Sequence, residues 1–177
     1  KGMKTIPSNI LKNANRVETV SISSTTITVG TSAFYGCSSL KKVSLPSTTT
    51  SINTYAFYGC KNMTSFTMSS NIKTIGKYAF KNCSKVEKIT LYKTIVSIGD
   101  GAFTNDSKLT LLVYANSKGK AYARAKKLKW DYTNSEKKRR AANKTIYDNY
   151  LAKVTAGDKK KYKLKYLSDY VPQGTCV

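Results

Sequence analysis

The 177-residue chain has no histidine, nine acidic residues, three prolines and one tryptophan. Without histidine there is no Ser-His-Asp or Cys-His nucleophile system, no His-containing zinc site and no access to the commonest general base. The acids Glu18, Glu87, Asp100, Asp106, Asp131, Glu136, Asp148, Asp158 and Asp169 are scattered, and no GxGxxG, P-loop or GxSxG sequence accompanies them. The expectation is a chain that is not an enzyme, with no cofactor, no metal site and no small-molecule substrate. No window approaches about 18 consecutive apolar residues, so no transmembrane segment is expected. Residues 1–7 lack the apolar core and small-residue cleavage site of a secretory signal. A first residue that is lysine, not an initiator methionine, reads as a chain cut from a longer one.

Basic residues are abundant: 31 Lys+Arg give a net charge of +22, and 40% hydrophobic residues suffice for a buried core. The second surplus is repetition. Ala33-Phe34, Ala56-Phe57, Ala79-Phe80 and Ala102-Phe103 recur every 23 residues, and one step back falls on Ile10-Leu11. A small residue follows three positions later (Ala14, Cys37, Cys60, Cys83, then Asp106), and an aliphatic position after it (Val17, Leu40, Met63, Val86, Leu109). Next comes an alternating pair, read as Val20/Ile22, Val43/Leu45, Phe66/Met68, Ile89/Leu91 and Leu112/Tyr114, while Ile6, Val29, Ile52, Ile75 and Ile98 precede each Ala-Phe step. A unit this short cannot bury its own apolar face, so stacked copies must bury it between them.

The alternation predicts short parallel strands along one side, with Val43 and Leu45 inward and Lys42 and Ser44 outward. The Thr49–Ile52 stretch and its equivalents read as a second, less regular extended segment. Residues 56–60 read as a helical turn or short helix opposite the strands. Gly36, Gly59, Asn13, Asn82 and Asn105 share a column suited to positive φ. The evenly spaced Cys37, Cys60 and Cys83 read as buried inert thiols in a column that also accepts Ala14; Cys176 stands apart.

The unit resembles that of the BspA-like branch of leucine-rich repeats, approximately L-P-x-x-x-x-x-I-x-x-x-A-F-x-x-C-x-x-L-x-x-V-x. Leu45-Pro46, Ile52, Ala56-Phe57, Cys60, Met63 and Phe66 reproduce it, and the resemblance covers residues 3 to 113. Ile10-Leu11 in place of Ala-Phe and Asp106 in place of cysteine depart from it in the end copies. The resemblance implies an α+β repeat solenoid, a right-handed leucine-rich repeat with short parallel strands on one side, helical turns on the other and a C-terminal cap. It also implies an extracellular or cell-surface location and a role in adhesion to host proteins or other cells.

Residues 1–113 are thus read as five repeats, residues 114–133 as a cap of strand, helix and strand, and residues 134–177 as a basic appendage or the start of another domain. Ser117 is the expected N-cap of the cap helix, with Ala121, Ala125 and Leu128 at helical spacing and Trp130 in the cap core. Beyond residue 134 a charge run leads into a helical pattern with Ala142, Ile146, Tyr150 and Val154 on one side. A turn at residues 156–158 follows, then an alternating segment at residues 162–166.

The charge is spread along the chain: residues 1–133 carry a net +15 and residues 134–177 a net +7. Lys41, Lys42, Lys61, Lys73, Lys81 and Lys88 lie in variable columns, as on a solvated solenoid face, and no nucleic-acid-binding motif appears. The Phe column is read as core, and Tyr35 and Tyr58 as outward-facing. The leading functional expectation is a module that binds a protein or an acidic surface or extracellular polymer. Its candidate contacts, by outward phase, are Thr19, Ser21, Lys42, Ser44, Ser65, Thr67, Lys88 and Thr90. The alternatives are a polyanion binder acting through the lysine-rich surface and tail, and a recognition or spacer arm of a larger protein.

Overall fold

The computed structural model describes residues 2–153, in two units that divide between Asp131 and Tyr132. The elements in order are β1 (Thr5–Ile6), β2 (Thr28–Val29), β3 (Lys42–Ser44), β4 (Ser51–Ile52), β5 (Ser65–Thr67) and β6 (Thr74–Ile75). They continue with β7 (Lys88–Thr90), β8 (Ser97–Ile98), β9 (Thr110–Val113), α1 (Lys118–Ala125), β10 (Trp130–Tyr132) and α2 (Asn134–Lys153).

Two runs of short parallel strands follow the solenoid. One joins β1, β2, β4, β6 and β8 into a five-stranded sheet that steps by 23 residues at every joint, from Thr5 to Thr28 to Ser51 to Thr74 to Ser97. This is the Ser/Thr-Ile stretch expected to be the less regular one, and it is the longer ladder. The run that carries the alternating pairs is divided between a β3–β5 pair and a sheet ordered β10–β9–β7.

The Ala-Phe segments are successive tight turns, not helices. Tyr55, Phe57 and Gly59 donate their N–H groups across to the carbonyls of Lys77, Ala79 and Lys81 in the next coil (3.0, 2.8 and 2.9 Å). The intervening Ala56, Tyr58 and Cys60 close turns onto Asn53, Tyr55 and Phe57 (3.2, 3.1 and 3.3 Å). In a helix these N–H groups would point along the segment's own axis toward carbonyls four residues back, not across to the next coil. Two left-handed residues per coil prevent a helix. One column is Asn13, Gly36, Gly59, Asn82 and Asn105, as the glycines and asparagines predict; the other is Asn9, Ser32, Tyr55, Tyr78 and Gly101.

The core lies between these layers. Phe34, Phe57, Phe80 and Phe103 stack in a column with centroids 5.1–5.4 Å apart and rings within 13° of parallel, and Phe66 meets Phe57 and Phe80 edge-on. Truncating one of these rings would cost about 3–5 kcal/mol. Cys37, Cys60 and Cys83 are buried and free, and their thiols donate to the carbonyls of Leu11, Phe34 and Phe57, each 26 residues back (2.9, 3.2 and 3.1 Å). Burial pushes the Cys37 thiol up to about 11 and raises Cys83 well above the thiol range.

The last strand departs from the expected register. β7 pairs with β9 through Lys88↔Thr110 and Ile89↔Leu111, a step of 22 residues. One residue is therefore missing between Leu109 and Leu111 relative to Val86 and Ile89. Leu111 and Val113 fill the core, while Leu112 and Tyr114, expected there, are half-exposed. A shift of one residue reverses every side chain of a strand. In α1 the Ser117 hydroxyl caps the helix by accepting from the Lys120 N–H (3.2 Å). The helix buries Gly119 and Ala123, while Ala121 and Ala125 face out. Trp130 is half-buried, with Lys120 Nζ 5.5 Å from its ring, and so is not a core residue.

In the second unit, Thr133 caps α2 by accepting from the Glu136 N–H (3.2 Å), and buried Glu136 pairs with Arg139 (2.6 Å). Ala142 and Ile146, expected on a packed face, are exposed. Val154, the turn at 156–158, the segment at 162–166 and Cys176 lie outside the described residues.

Asp106 breaks the cysteine column. Both carboxyl oxygens are buried without a hydrogen-bond partner, beside a cavity of about 340 Å³. Burial pushes this carboxyl up to about 7, and the Cys83 backbone offsets only part of the rise. Well below about pH 4 the group is protonated in folded and unfolded chains alike, so its ionisation costs nothing and only the burial of a neutral carboxyl remains. As pH rises from 4 to 7 the unfolded chain ionises first, and stability falls by an amount on the order of 3–4 kcal/mol.

Asp106→Cys is therefore expected to be more stable than the parent by a few kcal/mol at pH 8, with the difference shrinking to the neutral group's burial cost toward pH 4. Paired urea melts check this, and a difference independent of pH would contradict it. In a Cys176→Ser chain, none of the remaining thiols should react quickly with a disulfide reagent until the protein unfolds. One fast equivalent in the native state would show the column to be accessible.

Candidate functional site

The eight sequence-predicted contact residues lie on the divided strand run. β3 and β5 each expose their outer residues around one buried one, so Lys42 and Ser44 sit outward beside Val43, and Ser65 and Thr67 beside Phe66. Parallel register places Lys42 opposite Ser65 and Ser44 opposite Thr67, and Thr19 bridges to Lys42, giving a row Thr19–Lys42–Ser65 across three coils. Ser21 is exposed but outside any strand. Lys88 is exposed and Thr90 half-exposed on β7, which pairs toward β9 and not toward β5. The set is thus brought together in two groups, and Thr90 contributes least. Beside the first group, Lys41 pairs with Glu18 at 2.8 Å, both well exposed.

A second surface went unread in the sequence. Four tyrosines cluster on the turn segments. Tyr35 and Tyr58 stack face to face (4.7 Å, 4°), Tyr55 lies edge-on to both (6.2 and 5.7 Å), and Tyr78 tilts against Tyr55 (5.4 Å). Lys12 Nζ sits 5.5 Å from the Tyr35 ring centre; Lys77 and Lys81 both sit over Tyr78, at 5.0 and 4.9 Å. Together with Ser32, most of these residues line an open groove of about 450 Å³. The expectation that Tyr35 and Tyr58 face outward is met, whereas Lys81, read as plain solvated surface, is engaged with a ring. The signal was available: Lys12, Tyr35, Tyr58 and Lys81 form one column of the 23-residue register, and Tyr55 and Tyr78 form another.

Asp100, whose charge also feels Lys77, has its carboxylate held below the usual range chiefly by Lys126, which it meets at 2.9 Å. Among the described residues no three His, Cys, Asp or Glu side chains converge for a metal, and no helix is long and apolar enough to cross a membrane. What the two surfaces offer is in-register polar, cationic and aromatic contact across several coils.

Comparison with known proteins identifies the repeat. A search of curated proteins finds no match. Among solved structures, the chain is similar to a leucine-rich-repeat protein of T. pallidum (24% identity, TM-score 0.59, covering 60% of this chain and 50% of that one). It is also similar to a leucine-rich-repeat protein of Bacteroides ovatus (30% identity, TM-score 0.58, 62% and 28%). A leucine-rich cell-surface protein of Faecalibacterium prausnitzii shares the fold (20% identity, TM-score 0.53, 77% and 34%). The chain thus spans half or less of each of these proteins. The family model for the BspA-type leucine-rich-repeat region matches residues 4–125 in six copies, one more than the five repeats counted in the sequence. With its strands, coil step and core columns those of that repeat, the chain belongs to the BspA-type leucine-rich-repeat family.

Proposed function

We propose that this chain is a non-enzymatic recognition module that contacts a macromolecule, in the first instance a protein with an acidic surface, through its exposed strand face. The observation that carries this reading is the row Thr19–Lys42–Ser65 with Ser44–Thr67 beside it, held in register by main-chain pairing that ligand binding need not disturb. Such a row supplies an extended, preorganised contact without a pocket. Lysines at Lys42 and Lys88 among short hydroxyl side chains favour an acidic partner through steering and complementarity.

The chain's setting is read as extracellular or at a cell surface, with attachment to host or neighbouring cells as its task. Membership of the BspA-type family supports this, as does the naming of one structural neighbour as a cell-surface protein. The family match runs to residue 125 and so takes in α1, and we read α1 with β10 as the closure of the solenoid, replacing turns that would otherwise present unpaired groups.

The test is adhesion of the purified chain to host-cell and cell-wall preparations. Lys42→Glu with Lys88→Glu is expected to weaken binding roughly tenfold or more, mainly through slower association. Unchanged binding to every preparation would remove the strand face from the account.

A further inference from the structure

The tyrosine groove on the turn side asks for a ligand of its own. Tyr55 and Tyr78 hold positive φ values of 57° and 54°. The other coils fill that column with Asn9, Ser32 and Gly101, of which asparagine and glycine suit a left-handed backbone better than tyrosine does. Tyrosine therefore stands at a strained position in just the two coils where it completes the aromatic cluster. Strain of this kind persists where a side chain is wanted for something other than the fold.

The cations are arranged as unusually as the rings. Lys77 and Lys81 converge on the one ring of Tyr78, and Lys12 caps the other end of the cluster on Tyr35. Among the described residues, neither Lys12 nor Lys81 forms an ion pair with a carboxylate, and Asp100, on which Lys77 acts, is bonded to Lys126. Asp100 feels Lys77 but is shared with Lys126, so the two ammonium groups over the Tyr78 ring stay cationic in sum and form a prepared anion site. Asn82 donates to the Tyr58 hydroxyl oxygen (3.1 Å), leaving that hydroxyl's proton free to bond outward. The column Lys12–Tyr35–Tyr58–Lys81 crosses four coils, roughly 14 Å at strand spacing. That length suits an extended chain with charges at intervals more than a single small ion.

The rings and hydroxyls narrow the class. The groove is cationic through lysine alone, which binds an oxyanion as a point charge and asks for no particular acceptor geometry. Lysine, a compact point charge, serves a tetrahedral oxyanion well, and open grooves lined by hydroxyls and rings suit a polyhydroxylated backbone. We propose that this groove is a binding site for a sulfated glycan chain, with Lys12, Lys77 and Lys81 holding sulfate groups and the tyrosines contacting the sugars. The site is separate from the strand face, and either assignment can fail without the other.

The test measures heparin binding by the full chain at physiological ionic strength. A Lys12→Gln, Lys77→Gln, Lys81→Gln variant should bind roughly tenfold more weakly. The charge-matched Lys4→Gln, Lys85→Gln, Lys108→Gln variant, at exposed lysines outside both surfaces, should lose less than about twofold. Tyr55→Gly with Tyr78→Gly places glycine where φ is positive, so it should keep the melting temperature of the parent while weakening binding. Desulfated heparin and poly-glutamate should compete poorly. Equal losses in the two lysine variants would reduce the effect to diffuse charge and overturn the proposal. Competition by desulfated heparin as strong as by heparin would also overturn it, and equal competition by poly-glutamate would reassign the groove to acidic peptides.

Discussion

A 23-residue coil of this chain cannot complete its own hydrogen bonding. Alternate N–H groups along each turn segment point to the next coil, and the short strands on both runs pair only with neighbouring coils. No coil is a folded unit by itself, and each supplies half of the interface that the next one needs. The phenylalanine column and the thiol-to-carbonyl bonds use the same vertical step, so the packing and the polar bonding of the interior obey one period. Left-handed residues twice per coil are the local cost of turning the chain tightly enough to keep that step.

That constraint also sorts the surface. Inward columns are bound to apolar or small residues, so a side chain in an outward column is free to vary, and whatever recurs there is repeated at coil spacing. Lysine and hydroxyl residues recur on the strand face, and tyrosines flanked by lysines recur on the turn side. The two surfaces differ in kind: one is polar and held flat by main-chain pairing, the other aromatic and partly strained. The charge of +22 is therefore not a uniform coating. Part of it is neutralised locally, as in the Lys41–Glu18 and Lys126–Asp100 pairs, and part is held over rings.

Much of this was legible in the residues because the core columns keep their type and spacing through the inner copies. Phe34 to Phe103, the three buried thiols and the glycine-asparagine turn column all stand where the period puts them. The outward phase of Lys42, Ser44, Ser65 and Thr67 followed from alternation alone. What escaped depended on local departures from the period. A single missing residue before Leu111 reverses β9, and continuing the 23-residue count through it put Leu112 and Tyr114 in the core. The Ala-Phe turns read as helical because apolar spacing does not reveal where N–H groups go. In α1, Gly119 and Ala123, not Ala121 and Ala125, are buried, since small alanines at several phases give no preferred face. The tyrosine groove was missed because its residues come from two different columns, and only the fold brings those columns side by side.

Native-state hydrogen exchange, resolved by residue, tests the coil-to-coil account most directly. If neighbouring coils hold the turn side together, the amides of Phe34, Phe57, Phe80 and Gly59 exchange only on unfolding of several coils, as slowly as the strand amides of Ile52 and Ile75. Fast, loop-like exchange at Phe57 and Phe80 alongside slow exchange in the strands would contradict it, leaving the strands alone to hold the solenoid.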